Sequence, residues 1–375
     1  MIQRKLLSVL QSKLNKKKAI IVIGARQVGK TTLLKQLPGF SKKKILWLNG
    51  DEADTRVLFQ TASVTQLKKL IGKNEIVIVD EAQRIKNIGV GLKLITDGIP
   101  EVQLLVTGSS SLELNNTINE PLTGRKWEYQ LYPLSFAEMV DHHGLLEEKR
   151  LISHRLLYGY FPDVINHPGE EREILTQLTD SFLYKDVLSL DSLKKPIALQ
   201  NLLRALAFQV GAQVSYNELS QVCGMDVKTV EKYIGLLEQT YVLFRMSSYH
   251  RNLRGELSKS KKIYFYDTGV RNALINNFNT PEFRQDIGGL WENFLVVERM
   301  KHLAYSGRRV NSWFWRTVGQ QEIDLIEEEN GAMRAFEFKW NSKAKVKLTP
   351  TFANAYPESS FEVIHPGNME EFVGV

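Results

Sequence analysis

Gly24 to Thr32 reads GARQVGKTT and follows the β-branched run Ile20-Ile21-Val22-Ile23. A strand entering G-x-x-x-x-G-K-[ST] and opening a helix, here marked by Leu33, Leu34 and Leu37, is the arrangement that cradles phosphate. Gly24 and Gly29 let backbone N–H groups turn toward phosphate oxygens. Ala25, Arg26, Gln27, Val28 and Thr32 complete the loop, and the helix that follows directs its positive end at the same place. Lys30 is placed for the β and γ phosphates, and Thr31 for a Mg2+ ion. Fifty residues beyond Lys30 stands Ile76-Val77-Ile78-Val79-Asp80-Glu81. Four apolar residues predict a strand buried on both faces of a parallel sheet. Its two carboxylates then fall at the carboxyl edge, where ligands bind in open α/β sheets. Asp80 would hold Mg2+ through water, and Glu81 would polarise an attacking water.

A third strand, predicted from Gln103 to Val106, runs into TGSSS. Either Thr107 or Ser109 senses a γ-phosphate there, or the segment is a plain polar turn. PLTGRKWEYQLYPLSFAE (Pro121–Glu138) puts Arg125 in a loop before another strand. It is either a surface residue or an arginine that meets transition-state charge in a neighbouring subunit.

The back of the chain holds a second candidate, EIDLIEEENGAMRAFEFKW (Glu322–Trp340). Asn330-Gly331 is a strong signal for a two-residue hairpin. In that register Asp324 faces Glu337, Glu322 faces Lys339, and Ile323 and Leu325 share an apolar core face with Phe336 and Phe338. Like charges directly opposite each other are destabilising. Either a divalent cation or Lys339 must offset the Asp324–Glu337 pair.

The elements that must position these residues are legible in outline. Residues 2–14 have helical spacing, with Leu6, Leu7, Leu10 and Leu14 on one face. Leu199 to Phe208 is an apolar helix, and Ser215 to Glu218 has the form of a capping box that opens a second one. Cys223-Gly224-Met225 is a turn, and Asp226 caps a third helix, VKTVEKYIGLLEQ. There Val227, Val230, Ile234 and Leu237 face inward and Lys228, Thr229 and Lys232 outward. The strand Tyr241–Arg245, a loop with His250, Arg251, Arg254, Lys259, Lys261 and Lys262, and the strand Ile263–Asp267 complete a winged-helix pattern. Between Lys194 and Lys262 eleven Lys or Arg stand against five Asp or Glu, most of the +7 of the whole chain. The local excess suggests DNA as a polyanion partner; a packing module behind an ATPase lid is the other reading. Further on, Gly288–Tyr305 is helical by pattern and carries Glu292 near its start, and Val310–Arg316 is a strand.

With 43% hydrophobic and 24% charged residues in 375, the composition is that of a globular protein with two or three cores. A single cysteine, Cys223, excludes a disulfide framework and a Cys-rich zinc site. No apolar run approaches a membrane span, and AIIVIGA (Ala19–Ala25) lacks a cleavage site, so a cytoplasmic protein without membrane contact is expected.

GARQVGKTT, VDEAQ, TGSSS and GR followed by PLSF, in this order, resemble the AAA-type P-loop ATPases of bacteria and archaea. The likeness covers residues 15 to about 140. The stretch from His154 to Leu190, with an aromatic-proline turn at Phe161-Pro162, is similar to that group's helical lid. The resemblance implies ATP as ligand with Mg2+, and hydrolysis through Lys30, Glu81 and Arg125, the last in a homo-oligomer. The back half resembles the PD-(D/E)xK nuclease fold in its order of helix and strands. Matched by position are Glu292, Asp324, Glu337 and Lys339, which implies a second Mg2+ or Mn2+ at Asp324 and Glu337 with Lys339 assisting water or the scissile phosphate. An active nuclease, a non-cutting relative that binds nucleic acid or a partner protein, and coincidence all stay open. The expected organisation is α/β: a P-loop parallel sheet (1–140), a helical lid (141–193), a winged helix (194–267) and an α+β nuclease-like domain (268–375).

Overall fold

The computed structural model describes residues 2–37, 44–61, 63–109, 121–189, 196–249 and 261–375. Two compact units result, one built on residues 3–133, the other on residues 134–238 and 242–375.

The first unit is a five-stranded parallel sheet of β1 (Ala19–Ile23), β2 (Ile45–Asn49), β3 (Ile76–Asp80), β4 (Gln103–Gly108) and β5 (Lys126–Gln130), in the order β2-β3-β4-β1-β5. Every residue of β1, β3 and β4 is buried. This is the physical reason for their continuous aliphatic runs: in a parallel sheet covered on both faces, alternation has no solvent side to report. The parallel registers, Val22 beside Thr107 and Val79 beside Val106, bring the ends of β1, β3 and β4 to one edge. The helix Leu6–Lys13 buries Leu6, Leu7 and Leu10, whereas Leu14, expected on the same face, follows the last helical residue and is half-buried. In the helix Val64–Ile71 a full capping box joins Ser63 and Gln66.

The second unit begins with short helices, among them Phe136–His143 and Ile152–Tyr158, followed by the long Glu171–Ser189. Phe161 and Pro162 do open a helix, with Pro at its first turn. Next come helices Pro196–Phe208, Tyr216–Cys223 and Val227–Gln239 with β6 (Gln213–Val214), β7 (Leu243–Ser247) and β8 (Lys261–Phe265), an antiparallel sheet in the order β6-β8-β7. Asp226 caps the third of these helices through the Thr229 N–H at 2.9 Å. Val227, expected inside, is 37% exposed: at the first helical position it precedes the turn that meets the core.

Helix Ile287–Tyr305 then packs on a four-stranded sheet of β9 (Asn311–Arg316), β10 (Glu322–Glu329), β11 (Ala332–Phe338) and β12 (Ser360–Ile364), in the order β12-β11-β10-β9. The Ser248–Phe314 bridge and a Tyr249 N–H to Phe314 C=O bond of 2.7 Å join this sheet to the end of β7. Trp291, Phe294, Phe314, Phe336, Phe338 and Phe372 share one core. Among the described residues no helix is long and apolar enough to cross a membrane.

Candidate functional site

In the first unit the loop after β1 bends back on itself. A Cβ at Gly24 would lie 2.2 Å from the Leu131 carbonyl oxygen, so only glycine fits; Gly29 stands at φ +91°. Lys30 is 5% exposed, and its ammonium donates to the carbonyls of Gly24 at 3.0 Å and Ala25 at 2.8 Å, folded over the loop that it would serve. Arg4, which the motif does not announce, ties the same loop to its surroundings, donating to the Val28 carbonyl at 2.7 Å and the Tyr132 carbonyl at 2.6 Å.

Beside the loop the end of β3 supplies the acids. The Thr31 hydroxyl donates to Asp80 Oδ2 at 3.0 Å, and the Thr107 hydroxyl donates to Asp80 Oδ1. Thr107 Oγ1 also accepts from the Glu81 N–H at 3.2 Å. Thr31, Asp80, Glu81 and Thr107 therefore form one cluster. A hydroxyl and a carboxylate in direct contact suit a hard cation such as Mg2+, which prefers oxygen ligands. Gln83 is the residue that sequence reasoning passed over: it joins Glu81 to Ser109, the alternative sensor. Its only signal was its place in VDEAQ.

Arg125 lies elsewhere. Its carbonyl accepts from Ala19 N, at the amino end of β1, whereas the phosphate loop leaves the carboxyl end. A strand of five residues separates the two edges by roughly 16 Å, and the guanidinium pairs with Asp97 at 2.6 Å. Arg125 is thus not part of the site formed by its own loop.

In the second unit the hairpin has the predicted register: Leu325 pairs with Phe336 and Ile326 with Ala335, and Asn330 and Gly331 carry φ of 54° and 83°. Its faces differ from expectation. A β-bulge between Ile323 and Ile326, seen in the shifted pairing with β9, moves Ile323 into a separate core with Ile326, Ala335, Trp315 and Phe352. Leu325 stays with Phe336 and Phe338. Both faces of β10 are accordingly buried from Ile323 to Glu327, Asp324 and Glu327 included.

At Asp324 and Glu337, where either a divalent cation or Lys339 is expected to offset the two acids, ammonium groups stand close by. Lys262 of β8 reaches Glu292 Oε1 at 2.7 Å and also pairs with Glu322. The Tyr264 hydroxyl donates to Glu292 Oε1 at 2.6 Å. Lys339 pairs with Glu337 at 2.7 Å, and the Phe338 N–H donates to Asp324 Oδ2 at 2.8 Å. Among the described residues no group of three or more acids, histidines or cysteines is arranged to hold a metal ion. Two ammonium groups, those of Lys262 and Lys339, stand among the acids. Burial, then the charge of Asp324, pushes the Glu292 carboxyl up to about 8 against the pull of Lys262 and Tyr264. Burial also raises Asp324 and Glu337, the latter further through Asp324. Burial works against the Lys262 ammonium, but Glu292, Asp324 and Glu322 together raise it.

The same contacts revise the basic stretch. Lys262 is fully buried, Lys261 donates to the Ser247 hydroxyl, and Arg245 pairs with Glu238. These three cations serve internal contacts. Arg204, Lys228 and Lys232 are exposed, whereas His250, Arg251, Arg254 and Lys259 lie outside the described residues.

Residues 16–140 match the family model of the AAA domain. That match spans most of the first unit, including the loop after β1 and the acidic end of β3. Residues 149–281 and 287–372 match two further models, each described as a domain of unknown function. A protein of Haemophilus influenzae is 26% identical over 330 residues, covering 82% of this chain and 78% of the relative. One of Mycobacterium tuberculosis is 25% identical, covering 90% and 74%, and one of Methanocaldococcus jannaschii 22% identical, covering 98% and 88%. Among solved structures, the Thermotoga maritima RuvB Holliday junction branch migration motor is 16% identical at a TM-score of 0.28, covering 64% of this chain and 88% of that one. Bacteroides Pif1 bound to ssDNA is 15% identical at 0.24, covering 41% and 49%.

Proposed function

We propose that this protein is an ATP-driven switch: the AAA-type domain binds and hydrolyses ATP, and the second unit is a non-cutting module that responds to it. The contact between Thr31 and Asp80, with Glu81 at the next position, carries the hydrolytic reading. Lys30 leaves the loop carbonyls for the β and γ phosphates, and Thr31 and Asp80 are the residues that would hold Mg2+. Bound Mg2+ would neutralise charge on the transferring phosphoryl group. Glu81 orients water and accepts its proton as the bond between γ-phosphorus and the bridging oxygen breaks, leaving ADP and phosphate. The expected result for Glu81→Gln is nucleotide affinity close to wild type with turnover reduced roughly 100-fold or more. Equal turnover in the two proteins defeats the reading. Service by Arg125 at the site of a second copy predicts turnover per chain that rises with protein concentration.

For the second unit, the Lys262 contact with Glu292 and Glu322 supports binding without cleavage. DNA is the partner favoured by the helix order and by exposed Arg204, Lys228 and Lys232; a partner protein is the alternative. Gel shifts across a salt series separate them, because phosphate contacts weaken steeply with salt. Plasmid nicking in Mg2+ or Mn2+ that Asp324→Ala abolishes would overturn the non-cutting reading.

A further inference from the structure

We propose that Gln83 is a positioning residue that holds the Glu81 carboxylate in its working orientation and ties that orientation to the end of β4. This inference rests on the hydrolytic reading above. Glu81 stands at φ +50°, in the left-handed region, between the end of β3 and the short helix Ala82–Arg84. Neither strand pleat nor helix geometry sets where its side chain points. Gln83 does so. Its Nε2 donates to Glu81 Oε2 at 2.5 Å and to Ser109 Oγ at 2.9 Å, and its Oε1 accepts from the Ser109 N–H at 3.2 Å. Both ends of the amide are therefore spent on joining the proposed base to the residue just after β4. Ser109 is buried and lies two positions beyond Thr107, whose hydroxyl contacts Asp80 and the Glu81 backbone. A shift at the end of β4 on phosphate binding would reach Glu81 by two routes: Thr107 to its backbone, Gln83 to its carboxylate.

Gln83 touches neither Lys30, Thr31 nor Asp80 in the contacts above, so its loss should spare nucleotide binding. Turnover and equilibrium binding of a non-hydrolysable ATP analogue are measured for wild type, Gln83→Ala, Gln83→Glu, Glu81→Gln and the Glu81→Gln/Gln83→Ala double variant. Misplacement of a reacting group by an ångström costs about 100-fold. Gln83→Ala should lose about 10- to 100-fold in kcat while KM and analogue affinity stay within about twofold. Gln83→Glu keeps the acceptor for the Ser109 N–H but presents a carboxylate to Glu81, and should fall at least as far. The double variant should turn over no more slowly than Glu81→Gln alone, because a residue that acts only through Glu81 has nothing left to position. Wild-type kcat in Gln83→Ala, loss of affinity in step with kcat, or a double variant slower by the product of the two single effects each overturns the inference. Absence of turnover in wild type would defeat the hydrolytic reading and this inference together.

Discussion

Lys30→Ala is expected to lose nucleotide binding by about 100-fold and turnover with it. Charge-assisted hydrogen bonds contribute about 1.5–3 kcal/mol each, and the ammonium is placed for two phosphates. In the folded chain the same ammonium spans the carbonyls of Gly24 and Ala25. Its removal therefore also frees two loop acceptors, which water can satisfy. Stability should change little, so that thermal unfolding without nucleotide separates a binding defect from a folding defect. Nucleotide titration followed by calorimetry gives the affinity. A variant that binds and hydrolyses ATP like wild type would defeat the assignment of the loop.

The second large effect belongs to Lys262, a residue with no part in the nucleotide site. Lys262→Met removes the ammonium that meets Glu292 and Glu322. At pH 9, where Glu292 is ionised, breaking this buried ion pair by deleting one partner should cost about 3–5 kcal/mol, and urea unfolding followed by tryptophan fluorescence measures it. The cost depends on pH. Glu292 holds its proton to about 8 in the fold, well above its ordinary value of 4.5. Between those values the folded protein binds a proton that the unfolded chain releases, so wild-type stability falls as pH rises from about 4.5 through 8. Without Lys262 the carboxyl loses its main counter-charge and stays protonated to higher pH. Destabilisation should thus be smaller at pH 5 than at pH 9. Adding Glu292→Gln should recover part of the loss and flatten the pH dependence. A Lys262→Met protein within about 1 kcal/mol of wild type at pH 9 would show that the pair contributes little to the fold.

The two units differ in how much could be read without coordinates, for a local reason. GARQVGKTT acts within nine consecutive residues, and a fully buried β3 delivers Asp80 and Glu81 to the carboxyl edge of its sheet. Strand and glycine geometry alone place these groups. The Asn330-Gly331 hairpin belongs to the same class, because a two-residue turn sets which residues pair and the structure has that register. Gln83 was equally close in sequence, but its value depends on Ser109, twenty-six residues away.

By itself, then, the sequence determined the phosphate loop, the acidic end of β3 and the hairpin register, all consequences of short-range spacing. Tertiary structure alone decided the rest. Strand alternation puts Lys262 and Tyr264 on one face of β8, but only folding brings that face to Glu292, thirty residues on from Lys262. The bulge that divides Ile323 from Leu325 arises in the pairing with β9, which the hairpin pattern does not contain. Arg125 is likewise next to a strand in sequence, yet parallel pairing with β1 sets it at the amino edge, away from its own phosphate loop. Charge type and spacing say which residues could meet. Which cation enters a buried acidic cluster depends on which element the core packs beside it.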